Sequence, residues 1–195
     1  MPEKITVALV GAGGYGQYYV NELLHNHQDR IELVGVIDPY IERCPHIEEL
    51  RALQIPLYEN LSEFFQNTAA QLICIASPIQ LHAPQTIQAL EQGANVLCEK
   101  PLCATIQDAL RMAQAAETAS GFAAIGYQWS FSGAIQALKA DILSGELGCP
   151  IRLKSRVYWP RSDAYYNRNR WAGRIRLDDG TWVLDSPAGN AAAHY

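Results

Sequence analysis

The 195-residue chain is 49% hydrophobic and 18% charged and carries a formal net charge of −5. That balance gives a globular chain with an adequate core, long enough for one full domain and part of another at about 100–200 residues per domain. The charge is divided, with 7 Lys+Arg against 16 Asp+Glu over residues 1–150 and 8 against 4 over residues 151–195, and the acidic body argues against a nucleic-acid partner.

Met1 to Lys4 lead straight into a strand pattern and no apolar run approaches the ~18 residues of a membrane span, so a cytoplasmic protein without a membrane partner is expected. The five cysteines, Cys44, Cys74, Cys98, Cys103 and Cys149, are odd in number and scattered. They read as reduced thiols, and Cys98 with Cys103 makes a poor metal site, so no metal is expected. His25 and His27 point to different faces of a helix and read as solvent-exposed.

The first apolar run, Val7 to Val10, passes directly into Gly11-x-Gly13-x-x-Gly16, with Gly14 and Tyr15 inside the turn. Strand, tight turn and helix in that order match a dinucleotide site. Three glycines serve a turn with positive φ, close approach to a pyrophosphate, and close helix–strand packing, while the helix N-terminus offers N–H groups to the anion. On the helix, Tyr15, Tyr19 and Leu23 share a face with Val20 and Leu24 beside them. A second buried strand, Ile31 to Ile37, ends at Asp38, where a ribose-binding carboxylate belongs.

Beyond it, Pro39 starts a helical stretch through Ile41, Ile47, Leu50 and Leu53, and Ile55 to Tyr58 reads as a short edge strand. A helix near Ser62 to Gln66 precedes the buried strand Gln71 to Ala76, which Ser77-Pro78 ends. The next helix begins near Leu81, turns Leu81, Ile87 and Leu90 inward, and carries Pro84 in its first turn. Asn95 to Cys98 is a strand running into Glu99-Lys100-Pro101. Thr105 and Asp108 resemble a capping box for a helix whose Ile106, Leu110 and Ala113 face the sheet. Phe122 to Gly126 is a sixth strand.

This alternation predicts a doubly wound parallel α/β sheet, a Rossmann domain over residues 1–128, followed by the start of a truncated α/β domain over residues 129–195. In the latter, Phe131, Ile135, Leu138 and Ile142 form a helical stripe that Gly145 to Gly148 terminate. Ile151 to Trp159 alternates like a half-buried strand. Arg161, Arg168, Arg170, Arg174 and Arg176 are then interleaved with Tyr165, Tyr166 and Trp171; these arginines suit either a carboxylate or phosphate on a substrate, or ion pairing within the protein.

Lys100 stands at the carboxyl end of a parallel strand, where open α/β sheets bind ligands. Its ammonium can hydrogen-bond a substrate hydroxyl or exchange a proton with it as hydride leaves carbon.

Together the glycine motif, Asp38-Pro39, Ala76-Ser77-Pro78 with His82, Glu99-Lys100-Pro101, Gly126-Tyr127-Gln128 and Ser144 to Gly148 resemble the Gfo/Idh/MocA oxidoreductases, named for glucose–fructose oxidoreductase and inositol dehydrogenase. The resemblance implies an NAD(P)-dependent enzyme acting on a sugar or cyclitol hydroxyl, or on the corresponding ketone, and a homo-oligomer. It implies that Gly11, Gly13 and Gly16 hold the pyrophosphate and Asp38 the adenosine ribose, with Gly14 and Tyr15 also at the cofactor. Ser77, Pro78, His82 and Gln128 would line the cofactor cleft, and Glu99 and Lys100 would approach the nicotinamide, with Lys100 catalytic. Asp38 favours NAD because a carboxylate repels a 2′-phosphate, while Arg43 leaves NADP open.

Family members commonly carry an aspartate and, four residues later, a histidine on the first helix of the second domain. Asp185 fits the aspartate, but Gly189 takes the histidine position; Asn190 follows, and His194 lies nine residues beyond Asp185. Either the acid/base work falls to Lys100 and Asp185, or His194 has another role, or this member uses a different arrangement. The alternative is a truncated nucleotide-binding protein, a pseudoenzyme or cofactor-sensing partner, without redox turnover.

Overall fold

The computed structural model describes residues 3–152, 154, 156, 158 and 160–185. Six strands, β1 (Ile5–Val10), β2 (Ile31–Ile37), β3 (Leu57–Tyr58), β4 (Leu72–Ile75), β5 (Asn95–Cys98) and β6 (Ala123–Ile125), pair in parallel in the order β3-β2-β1-β4-β5-β6. This is the doubly wound sheet that the alternating pattern implies. The strand order reverses direction between β1 and β4, and the crevice above that point is where such sheets bind ligands.

Strand side chains alternate between two buried faces. On one, Val7, Leu9, Val36 and Cys74 pack with Val20 and Leu24 of helix α1 (Gly16–His25) and Leu50 of α2 (Ile47–Ala52). On the other, Ala8, Val10, Ile73, Ile75 and Val96 pack with Phe64 of α3 (Leu61–Asn67) and with Ala89 and Leu90 of α4 (Ile79–Glu91). Burial on both faces explains why β1, β2 and β4 read as almost unbroken apolar runs rather than alternating ones.

Several helices differ from the sequence reading. The stretch expected from Pro39 is a 3-10 turn at Ile41–Arg43 and a separate α2, because Pro45 removes an amide donor and holds Cys44 extended at ψ 125°. On α1 the buried line is Gly16, Val20 and Leu24, with Tyr19 and Leu23 at its margin and Tyr15 exposed. Helix α4 starts at Ile79, so Pro84 is its sixth residue and Leu81 faces outward; Ile79, His82, Ala83 and Thr86 are buried instead.

Helix α5 (Ile106–Thr118) is capped as expected, Asp108 N–H donating to Thr105 Oγ1 at 3.1 Å, yet it is rotated. Met112 is buried, and the partly buried Ala109, Ala115, Ala116 and Ala119 turn toward the core, whereas Ile106, Leu110 and Ala113 are exposed. Alanines allow the helix to lie close against α4 and the sheet, and that close approach outweighs burial of the two larger side chains.

After β6 comes a 3-10 turn, Gln128–Phe131, and then α6 (Gly133–Ser144), which Gly145 ends in the left-handed conformation at φ 76°. Ile135, Leu138 and Ile142 share a face of α6 as the spacing predicts, but all three are exposed, as is Phe131. The strand expected over 151–159 is not formed at residues 151, 152, 154, 156 and 158; the alternate positions, 153, 155, 157 and 159, lie outside the described residues. A strand persists only where a neighbour takes up its backbone groups, and none of those five residues has a paired neighbour in the sheet.

A short helix, α7 (Asp163–Tyr166), leads to a segment that folds back on the sheet domain. There Val183 and Leu184 bury against Ile79, joined by Trp171 and Leu177, and Asp185 N–H donates to Ala104 O at 3.0 Å. Gly189, Asn190 and His194 lie outside the described residues.

Candidate functional site

The glycine loop closes over the ends of β1 and β4. Gly11 adopts φ 86°, and a Cβ there would stand 2.7 Å from Ser77 N, so only glycine lets the turn rest on the end of β4. A Cβ on Gly16 would lie 1.9 Å from Gly11 O, which makes this glycine the seat of α1 on the loop. At Gly13 nothing stands within 4 Å of a Cβ, and Gly14, at φ 51°, is equally open. The first and third motif glycines are therefore demanded by the fold itself, while the second leaves an open cradle at the N-terminus of α1. Pyrophosphate fits that place, because backbone N–H groups there lack helical partners.

Asp38 is fastened beside this loop. Its Oδ2 accepts from Ala12 N–H at 2.9 Å and its Oδ1 from Tyr40 N–H at 2.8 Å, while its own N–H donates to Tyr58 O at 3.0 Å. Each carboxylate oxygen keeps a lone pair for a ribose hydroxyl. Arg43 stacks 4.8 Å from the centre of the Tyr40 ring, at the rim of the same corner.

Beyond the loop stands Glu99-Lys100-Pro101, whose Lys100–Pro101 peptide is cis. Glu99 is buried. Its Oε1 accepts from Tyr19 Oη at 2.8 Å and its Oε2 from Lys100 N–H at 3.2 Å, and a Cβ on Gly126 would come within 3.1 Å of Oε1. Burial first, then the charge of Glu99 and its hydrogen bond, push the Tyr19 hydroxyl well above its ordinary 10, so it remains a donor. Lys100 Nζ lies 5.9 Å from the centre of the Tyr15 ring, within cation–π reach. Tyr19 is the member of this group that the sequence reading placed only on a packing face. One turn into α1, it reaches Glu99 across 80 residues of sequence, and no local motif signals that contact.

His82 does not line an open cleft. It is 1% exposed, with Nδ1 2.8 Å from Pro101 O and Nε2 2.9 Å from Ser77 O, so it ties the loop after β5 to the end of β4. Burial lowers its proton affinity below the ordinary 6.5, against the two carbonyls and the Glu99 charge, which favour the protonated ring. Ser77 donates its hydroxyl to Gln85 Oε1, and Pro78 caps α4. Gln128 is exposed on the turn after β6.

The structure thus gathers the glycine loop, Asp38, Ser77, Glu99 and Lys100 at the carboxyl edge of the sheet. Asp185 stands beside Ala104 and lines an open cavity of about 680 Å³ with Gln80, Thr105, Asp108, Arg111 and Trp182. Three of the arginines beyond α6 lie over rings: Arg161 is 4.7 Å and Arg168 3.9 Å from the centre of Tyr165, and Arg176 is 3.7 Å from that of Trp182. Among the described residues no group of three His, Cys, Asp or Glu side chains is arranged to hold a metal.

A family model described as an oxidoreductase family with NAD-binding Rossmann fold matches residues 5–127. Inositol 2-dehydrogenase of Rubrobacter xylanophilus is 30% identical over 162 residues, 82% of this chain and 45% of its own length. Glucose-6-phosphate 3-dehydrogenase of Bacillus subtilis is 28% identical, over 81% of this chain and 43% of its own. Among solved structures, the WlbA dehydrogenase from Bordetella pertussis, in complex with NADH and UDP-GlcNAcA, superposes with a TM-score of 0.73 at 28% identity, covering 88% of this chain and 51% of that one. The chain spans about half the length of these relatives.

Proposed function

Because this chain belongs to the Gfo/Idh/MocA oxidoreductase family of NAD-binding Rossmann fold, we propose that it serves reversible oxidation of a sugar- or cyclitol-type hydroxyl to a ketone. A nicotinamide cofactor, when bound, supplies the acceptor or donor of the hydride. The observation that carries this reading is the open cradle at Gly13 with Asp38 fastened beside it and Lys100 on the same edge of the sheet. The names of the relatives, an inositol dehydrogenase and a sugar-phosphate dehydrogenase, support the substrate class.

In this reading Gly13 and Gly14 present backbone N–H groups to the pyrophosphate, Gly16 closes the turn by donating its own N–H to Gly13 O at 2.8 Å, Tyr15 flanks the loop, and Asp38 accepts from the ribose hydroxyls. Its negative charge favours NAD over NADP. Ser77, Pro78 and Gln128 border the cleft, and Glu99 and His82 hold the backbone on either side of Lys100. The lysine would hydrogen-bond the reacting oxygen and exchange a proton with it as hydroxyl and ketone interconvert. Asp185 orients the substrate or the lysine.

Residues 1–128 serve as the dinucleotide-binding unit and residues 129–195 as the first part of the substrate domain, in a cytoplasmic homo-oligomer. Among the described residues no helix is long and apolar enough to cross a membrane.

NADH fluorescence titration tests the cofactor site, and a sugar and polyol panel followed at 340 nm tests turnover. Lys100→Ala is expected to retain NADH binding and lose turnover by about a hundredfold or more. Unchanged turnover in that variant overturns the lysine's role. NADH binding without turnover on any substrate favours a nucleotide-binding chain over an enzyme.

A further inference from the structure

Lys100 and the glycine loop are 84 positions apart in the sequence, yet α1 grips the lysine loop twice. Tyr15, at the N-cap of α1, puts its ring beside Lys100 Nζ, and Tyr19, one turn later, donates its hydroxyl to Glu99 Oε1 at 2.8 Å. The two rings touch edge to face with centres 6.2 Å apart. Glu99 in turn accepts from the backbone N–H of Lys100, and it is closed in on the far side by Gly126.

A hydroxyl buried against a carboxylate fixes direction in a way that packing alone does not. Phenylalanine would fill the same volume, but without the hydroxyl Glu99 Oε1 loses its bond to α1. Gly16, the first residue of α1, is also the residue whose Cα rests on the glycine turn. Any adjustment of that turn as it closes on an anion moves the first turn of α1 as a unit, and Tyr19 lies within it.

We propose that Tyr19 is a positioning residue for Lys100, acting through the Glu99 carboxylate, and that it transmits occupation of the glycine loop to the lysine. The proposal rests on the cofactor reading above. A dinucleotide bound at the loop then sets the lysine before substrate arrives, and the chemistry is coupled to loading of the site.

The test uses the whole chain and ADP, which carries the adenosine and pyrophosphate groups but no nicotinamide and so does not occupy the space around Lys100. The lysines, Lys4, Lys100, Lys139 and Lys154, are labelled by reductive ¹³C-dimethylation, and the Lys100 signal is assigned by its loss in Lys100→Arg. Saturation with ADP is expected to shift the Lys100 signal in the parent protein. Tyr19→Phe is expected to bind ADP within about threefold of the parent affinity while the Lys100 shift falls to about a fifth or less. Glu99→Gln, which keeps the shape, is expected to weaken the same response, and the double variant to lose little more than either single one.

A full Lys100 response in Tyr19→Phe overturns the proposal, since it would show ADP reaching the lysine without the Tyr19–Glu99 bond, by way of Tyr15 or through space. So does a parent protein that binds ADP with no Lys100 response. Failure of the parent protein to bind ADP or NADH overturns the cofactor reading and the tether together, whereas the other two outcomes overturn the tether alone.

Discussion

At the scale of single residues, the three motif glycines separate into two kinds. Gly16→Ala forces a Cβ to within 1.9 Å of Gly11 O, so α1 must leave its seat; the variant is expected to lose roughly 3 kcal/mol or more, read as a lowered urea midpoint. Gly13→Ala meets nothing within 4 Å and is expected to stay within about 0.5 kcal/mol of the parent. The same methyl group stands where the pyrophosphate would lie, so its NADH affinity should fall by about tenfold or more. Equal stability for both variants would show that the loop does not have the geometry described.

His82 gives a residue-scale prediction with a defined sign. Its proton affinity is lowered in the folded protein, so the unfolded chain binds the extra proton first as pH falls. The stability that His82 contributes is present above the ordinary 6.5 and is lost as pH falls from there toward the folded value. Urea midpoints of the parent and His82→Gln should therefore differ most above the ordinary 6.5 and draw together as pH falls below it. A gap that widens on acidification would mean that the imidazolium is the form held between Ser77 O and Pro101 O.

At the scale of elements, the strands of the sheet were legible, whereas the strand expected over 151–159 and the buried faces of α4 and α5 were not. The strands are buried on both sides, so their residues are apolar almost without regard to register, and β1, β2, β4 and β5 stand where the apolar runs placed them. Helix rotation depends on what packs closest. In α5 the sequence pattern favoured Ile106 and Leu110, but the alanines permit a closer approach, and α4 and the sheet took that face. Leu110→Glu is accordingly expected to change stability by no more than about 0.5 kcal/mol, whereas Met112→Ala should cost about 2–5 kcal/mol. Thermal unfolding of the two variants checks the assignment, and the reverse order would restore the face expected from sequence.

The placement of Gly11, Gly16, Asp38 and Lys100 at one edge of the sheet was legible, because strand ends and the glycine turn fix it. The site was illegible where a partner comes from far along the chain. Nothing in the neighbourhood of Tyr19 announces Glu99, 80 residues away, and nothing around His82 announces that both of its nitrogens end on carbonyls.

For the whole molecule, the thiols report how the sheet domain is sealed. Cys44, Cys74, Cys98 and Cys103 are buried, and burial pushes Cys74 and Cys98 up to about 12 and Cys103 to about 11; Cys149 is exposed beyond α6. Maleimide at pH 7 should label one cysteine in the native protein and five after unfolding, counted by intact mass. Rapid native labelling of Cys74 would mean that the centre of the sheet opens. Outside the sheet, the exposed stripe Phe131, Ile135, Leu138 and Ile142 leaves apolar surface of the kind that meets other protein.

Asp38 has one more consequence, which concerns how changeable the protein is. Both carboxylate oxygens already hold the backbone, Oδ2 the glycine loop through Ala12 and Oδ1 the turn at Tyr40. Its orientation is settled before any nucleotide arrives, so no rotamer freedom is lost on binding. The same economy makes cofactor preference hard to alter: a neutral or basic residue at this position, chosen to admit a 2′-phosphate, would also release the loop that receives the pyrophosphate. Under the proposed cofactor reading, preference at one end of the nucleotide and integrity at its middle would be carried by a single side chain, and redesign of the first would have to rebuild the second.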